Sequence, residues 1–166
     1  EETLEASLVR VLLRNVATSG SVDADAFRDQ YVKFMQTPGS HNDSYASTAH
    51  RMFFANLFHK QKAVKDCPDN DAHNVDTIDG LVLPSVAAAC AAYKGGPGAA
   101  GKAAARDAAV AVAATTRASR PLATAAAALG DAMHGAIHGV GTAASRAAAM
   151  ASALGMRVPR PPPLVS

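Results

Sequence analysis

Apolar residues recur at helical spacing from the start of the chain. Leu4, Leu8, Val11, Leu12 and Val16 share one face of a helix predicted over 1–16. Glutamates open it and Arg10 and Arg14 come later, the order that suits the helix dipole. Gly20, in the loop 18–22, ends it. Asp23 is a good N-cap for a second helix running to Met35, with Phe27, Tyr31, Phe34 and Met35 on its apolar face. Pro38 and Gly39 stop it, one by removing a backbone donor, the other by admitting a left-handed turn. A third helix is predicted over 45–58, capped by Asp43 or Ser44. Its stripe is Tyr45, Ala49, Met52, Phe53 and Leu57, with His50 and His59 on other faces.

Residues 60–77 carry no convincing period and are rich in Asp and Asn, as functional or mobile connections often are. Helical pattern returns over 80–93, with Pro84 near the start or kinking it. The run Gly95-Gly-Pro-Gly breaks it. Further helices are predicted over 102–116, 121–138 and 142–154, the last two separated by Gly139 and Gly141. Nothing reads as a strand. The pattern predicts an all-α fold, a compact multi-helix bundle of six or seven helices, antiparallel where the loops are short. Residues 1–155 form the helical domain, and 156–166 a Pro-rich flexible tail, readable as an SH3-type ligand or as a disordered end.

Composition narrows what this bundle can be. Hydrophobic residues make up 49% of the 166, but alanine dominates them, Trp is absent and aromatics are 5%. The core must therefore be thin and rely on close helix approach rather than on bulky side chains. A formal charge of +2 and scattered basic residues argue against nucleic acid and against membrane attraction. The longest apolar runs are interrupted by Arg, Gly and Pro, so no segment is predicted to span a membrane. Two cysteines, Cys67 and Cys90, make no disulfide framework and point to reduced thiols in an intracellular, cytoplasmic protein. The chain opens acidic, unlike a signal peptide, and without Met, as a fragment of a longer protein would.

Candidate chemistry concentrates in 37–80. Four of the six histidines (His41, His50, His59, His73), Cys67, Asp43, Asp66, Asp69, Asp71 and Asp76 fall there, with Asp79 at its edge. The run Asp69-Asn-Asp-Ala-His-Asn resembles a calcium loop only superficially. Its fifth place is His73, its sixth Asn74 and its twelfth Gly80, so Asx turns explain it better. His134 and His138 have the i,i+4 spacing of a zinc pair, but with no third ligand in view they read as a polar helix edge. Cys67 with His73 carries no nucleophile signature. The Gly95 loop lacks the Lys-Ser/Thr ending of a phosphate loop. Glu1, Glu2 and Thr3 could offer three oxygens to a hard cation such as Mg²⁺, or could be a solvated acidic first turn.

The order of these pieces matters more than any one of them. An acidic-acidic-Thr helix start leads into LEASLVRVLLRNVATSGSVDADAFRDQYVKFM. TPGSHNDSYASTAHRMFFANL follows, then DNDAHNVDTIDGLVLPSVAAACAAY and AVAATTRASRPLATAAAALGDAMHG. Over about residues 1–155 the chain resembles the ADP-ribosylglycohydrolase family, in its divergent crystallin-like and selenoprotein J-like branch. The resemblance implies an all-α fold with a two-magnesium site that hydrolyses glycosidic bonds of ADP-ribose. Glu1, Glu2 and Thr3 would be metal ligands, with Glu2 as the catalytic carboxylate. Ser40, His41, Asn42 and Asp43 would line the cleft, with Asp71, His73 and Asn74 opposite. ADP-ribose or an ADP-ribosylated protein would be the partner. The departures are specific. Glutamates replace aspartates in the first metal motif, and the second, Gly-Asp-rich motif has no counterpart. HNVDTIDG stands in the place of the phosphate loop, and Thr116-Arg117 in that of a Thr-His pair. Part of the family domain is expected to be missing. The activity is therefore expected to be weak or lost, the alternative being a non-catalytic subunit of a larger assembly.

Overall fold

The computed structural model describes residues 2–69 and 76–157. Seven α-helices account for most of them, and no strand occurs among the described residues. Helix α1 spans Leu4–Ser19, α2 Ala24–Gln36, α3 Thr48–Phe58, α4 Val82–Gly95, α5 Ala99–Ala114, α6 Arg120–Ile137 and α7 Ala143–Ala153. Two short 3-10 turns occur: Val64–Asp66 in the stretch expected to have no period, and Ile78–Leu81 just after it, at the start of the helix predicted over 80–93. The second runs directly into α4. Pro84 is the third residue of α4 and buried, so it starts the helix and does not kink it.

The cap predicted at α2 holds, and Thr3, predicted inside the first helix, instead caps α1. Thr3 Oγ1 accepts from Ala6 N at 3.2 Å, and Asp23 Oδ1 accepts from Ala26 N at 3.0 Å. Gly20 closes α1 with φ +73° and its N–H on Val16 O, a left-handed cap that only glycine makes without strain. The third helix departs from expectation. It starts at Thr48 after Ser47, and Tyr45 lies outside it, 65% exposed. Asp43, predicted to cap it, instead serves the start of α1. His50, predicted on another face, is buried.

Two clusters make the core. The larger joins Leu4, Leu8 and Leu12 of α1 to Phe27 and Tyr31 of α2, Phe53 of α3 and Val112 of α5. Tyr31 meets Phe53 edge to face, ring centroids 5.1 Å apart. The smaller is mostly alanine: Ala88, Ala109, Ala113 and Ala126 with Leu122, where α4, α5 and α6 pack on one another. Small residues let these backbones approach closely. A Cβ on Gly130 of α6 would sit 2.6 Å from Arg106 Cα of α5, inside any permitted contact. His134 and His138 join α6 to α4, their Nε2 atoms 3.1 Å from Gly96 O and 2.9 Å from Ala92 O. Gly96 O lies just past α4, and Ala92 O, already bonded by Gly96 N, takes the imidazole as a second partner. Helix α7 buries no residue and is held by Arg146, whose Nη1 donates to Val140 O at 2.9 Å and Gly141 O at 2.8 Å.

Candidate functional site

The start of α1 is the meeting point of two segments singled out in the sequence. Asp43 Oδ2 accepts from Leu4 N at 3.0 Å, across 39 residues, while its Oδ1 accepts from Tyr45 N at 2.9 Å. These two backbone bonds, Tyr45's first, hold the Asp43 carboxyl below the usual carboxylate range. Glu2 is one residue away from the cap. Its Oε2 accepts from Ser7 Oγ at 3.2 Å and pairs with Arg10. Thr3, Glu2 and Asp43 thus lie at one helix end.

The rest of the expected cleft does not gather there. Ser40 lines a groove of about 280 Å³ with Val11, Arg14 and Phe34, further along α1 and α2. His41 stacks near Phe34, centroids 5.8 Å apart, with its Nδ1 enclosed and unpartnered. Asn42 is exposed. Glu1, Asp71, His73 and Asn74 lie outside the described residues. Among the described residues no group of three or more His, Cys, Asp or Glu side chains could hold a metal. The oxygens at the helix end are already engaged with separate partners: Glu2 with Arg10, Thr3 with Ala6 N, Asp43 with two amides. The described residues alone therefore do not fit a magnesium site, and no chemical step can be derived through one.

A second, buried polar cluster lies inside the bundle. Arg117 is 3% exposed, an unusual place for a guanidinium. Its Nη1 donates to Thr77 Oγ1 at 2.7 Å and its Nη2 pairs with Asp79. Burial pushes the Asp79 carboxyl up, but the bonds from Arg117 and Thr77 outweigh it and leave the pKa lowered. Tyr31 OH lies 2.9 Å from His50 Nδ1. Burial keeps the Tyr31 phenol neutral and lowers His50 to about 4, with Arg117 adding to the shift and Asp79 opposing it. His50 Nε2 stands 3.9 Å from Glu5 Oε1. With the imidazole neutral, that approach is not an ion pair.

These groups fix the two ends of the Asp-rich connection. Asn56, fully buried, donates through Nδ2 to Cys67 O at 2.9 Å and Asp69 O at 2.5 Å. On the far side Ser119 bonds Asp76, beside the Arg117 contacts. Cys67 is buried with Sγ against Ala63 O, and burial pushes its thiol up, as it does that of Cys90. Neither is an activated nucleophile. Sequence reading missed Arg117, Asn56 and His50 as structural polar groups. The available signal was a lone cation or amide inside an otherwise apolar pattern. No described helix is long and apolar enough to cross a membrane. Comparison with protein-family models, with curated proteins and with solved structures returned no match for this chain.

Proposed function

We propose that the chain is an ADP-ribosylglycohydrolase-like domain that takes ADP-ribose, or an ADP-ribosylated protein, at the α1 end of the bundle, with glycosidic hydrolysis weak or lost. The observation that carries this reading is the Asp43–Leu4 hydrogen bond. It joins the helix start carrying Glu2 and Thr3 to the segment Ser40–Asp43, the two stretches most distinctive of the resemblance. Mg²⁺ enters through the resemblance. Glu2 and Asp43 both present carboxylates there, so a diphosphate approaching them meets repulsion, and the test is therefore run with and without a divalent cation. The chain's own residues supply position. Asp43 ties the start of α1 to the loop between α2 and α3, and Thr3 caps the first turn. The test is calorimetric titration of ADP-ribose into the folded chain, with and without Mg²⁺. Magnesium-dependent heat supports the reading, and turnover on ADP-ribosylated substrates would follow. No heat in either condition sinks it.

The second reading is a non-catalytic interaction subunit. Its support is apolar surface: Ile78 and Tyr93 are 83% and 82% exposed. Tyr93 also borders a groove of about 840 Å³ walled by Val16, Val22 and Cys90. Light scattering at rising concentration tests self-association, and a monomer at all concentrations directs the search to another protein.

A further inference from the structure

We infer that the small cavity beneath Arg117 binds one water molecule, which accepts from Arg117 Nε and His50 Nε2 and donates to the carboxylate of Glu5. Three independent observations meet there. The cavity has a volume of about 10 Å³ and is lined by Glu5, His50, Asp79, Thr116 and Arg117, with Leu83 on its apolar side. That volume is about one water probe, and a water also needs two to four polar partners, which this lining supplies. Arg117 Nε is enclosed and has no protein partner, although both terminal nitrogens of the same guanidinium are engaged. A buried charged donor left unpaired is costly, so the site selects an acceptor small enough to enter.

The third observation is the gap between His50 Nε2 and Glu5 Oε1, 3.9 Å. It is too long for a direct hydrogen bond, and a water set to one side of the line between the two atoms can reach both. The tautomer is part of the inference. Tyr31 OH has His50 Nδ1 as its hydrogen-bond partner at 2.9 Å. When the hydroxyl donates to Nδ1, the neutral ring carries its proton on Nε2, facing the cavity. The water then accepts two hydrogen bonds and donates one to Glu5, leaving its second proton for Thr116 or Asp79. In this arrangement one water connects α1, α3, the 3-10 turn before α4 and the end of α5. The inference is independent of ADP-ribose binding.

Two measurements test it on the full chain. A crystal structure that resolves ordered solvent should show a density peak within hydrogen-bond distance of Arg117 Nε and the Glu5 carboxylate. An empty cavity, or Arg117 Nε bonded directly to a protein oxygen, overturns the inference. In solution, the Arg117 Nε–H should give a direct dipolar cross-peak to a long-lived water, lost in Glu5→Leu, whose methyl groups take the space. Nitrogen shifts of the imidazole should place the proton on Nε2. A proton on Nδ1, no water cross-peak in the natural chain, or an unchanged cross-peak in Glu5→Leu each overturns it.

Discussion

Acidification reads out the burial of His50 directly. Its ring is 2% exposed, and burial lowers its pKa from 6.5 to about 4. Above pH 6.5 the imidazole is neutral in folded and unfolded chains alike, and the group contributes no slope. As the pH falls from 6.5 towards about 4, the unfolded chain takes up a proton that the folded chain refuses. Proton uptake then favours unfolding, so stability drops through this window. At about 1.4 kcal/mol per unit, a gap from 6.5 to about 4 removes about 3 kcal/mol. Below it both states are protonated, and the full contribution of the neutral ring has been lost. The assay is urea unfolding followed by circular dichroism across this range, for the natural chain and for His50→Asn. Asparagine places a carbonyl oxygen where Nδ1 sits and keeps a partner for Tyr31. The advantage of the natural chain over His50→Asn should shrink by about 3 kcal/mol as the pH falls from 6.5 to about 4. Other histidines cancel in the difference, and Asp43 and Asp79, both lowered, titrate further down. A difference that stays flat would refute the reasoning. A difference that grows with acid would show instead that His50 charges against Glu5 as an ion pair.

Other perturbations probe the remaining joints. Arg117→Met should cost about 3 kcal/mol in urea unfolding, at the low end for a broken buried pair because Asp79 keeps partial solvent access; a loss under 1 kcal/mol, on the same scale, would mean that the guanidinium is dispensable. Gly130→Ala should lower stability by about 2 kcal/mol, since the new methyl meets Arg106 Cα at 2.6 Å and forces α5 and α6 apart. A rise in melting temperature, the result expected from helix propensity alone, would contradict that packing. Arg146→Ala should speed amide exchange in α7 while leaving α1 to α5 unchanged, because α7 buries nothing of its own. Equal exchange in both proteins would show that α7 is held by other contacts.

Local pattern and long-range pairing were not equally readable. Leu4, Leu8 and Leu12 lie one helical turn apart and face the core as their spacing requires. The alanine-rich helices were legible by propensity, and the thin core by the shortage of aromatics. Asp43 shows where this stops. As a cap residue just before a helical pattern it fits the start of α3, yet its carboxylate is used by α1, 39 residues earlier. A short side chain with two acceptor oxygens serves whichever backbone amides the tertiary structure brings, and sequence distance does not encode which. Arg117 fails for the opposite reason. A single arginine after an alanine-rich helix reads as solvated, and only the return of Thr77 and Asp79, 40 and 38 residues away, makes its burial possible. Of the candidate site residues, Glu2, Thr3 and Asp43 lie at the start of α1, whereas Ser40 and His41 turn to the face shared with Phe34.

The distribution of polar groups divides the bundle into two ends with different demands. Where α4, α5 and α6 meet, alanine and glycine give close backbone contact, and the histidines of α6 serve only to pair carbonyls. Such packing needs no buried charge. Near α1 and α3 the same chain buries Asn56, His50 and Arg117, each of which costs stability unless its partners are held in place. His50 is held by Tyr31, and the partners of Asn56 and Arg117 are the stems of the Asp-rich connection, Cys67 and Asp69 on one side and Thr77 and Asp79 on the other. A fold that needed only a core would fill these positions with apolar residues, which pack at lower desolvation cost. Buried polar groups instead impose a single geometry on two loop ends that have few apolar anchors of their own. Through Glu5, which shares a cavity with His50, Asp79 and Arg117, part of that cost falls within the first two turns of α1, near where the proposed ligand would sit, and a fixed position for Thr77 and Asp79 is what a binding site there would require.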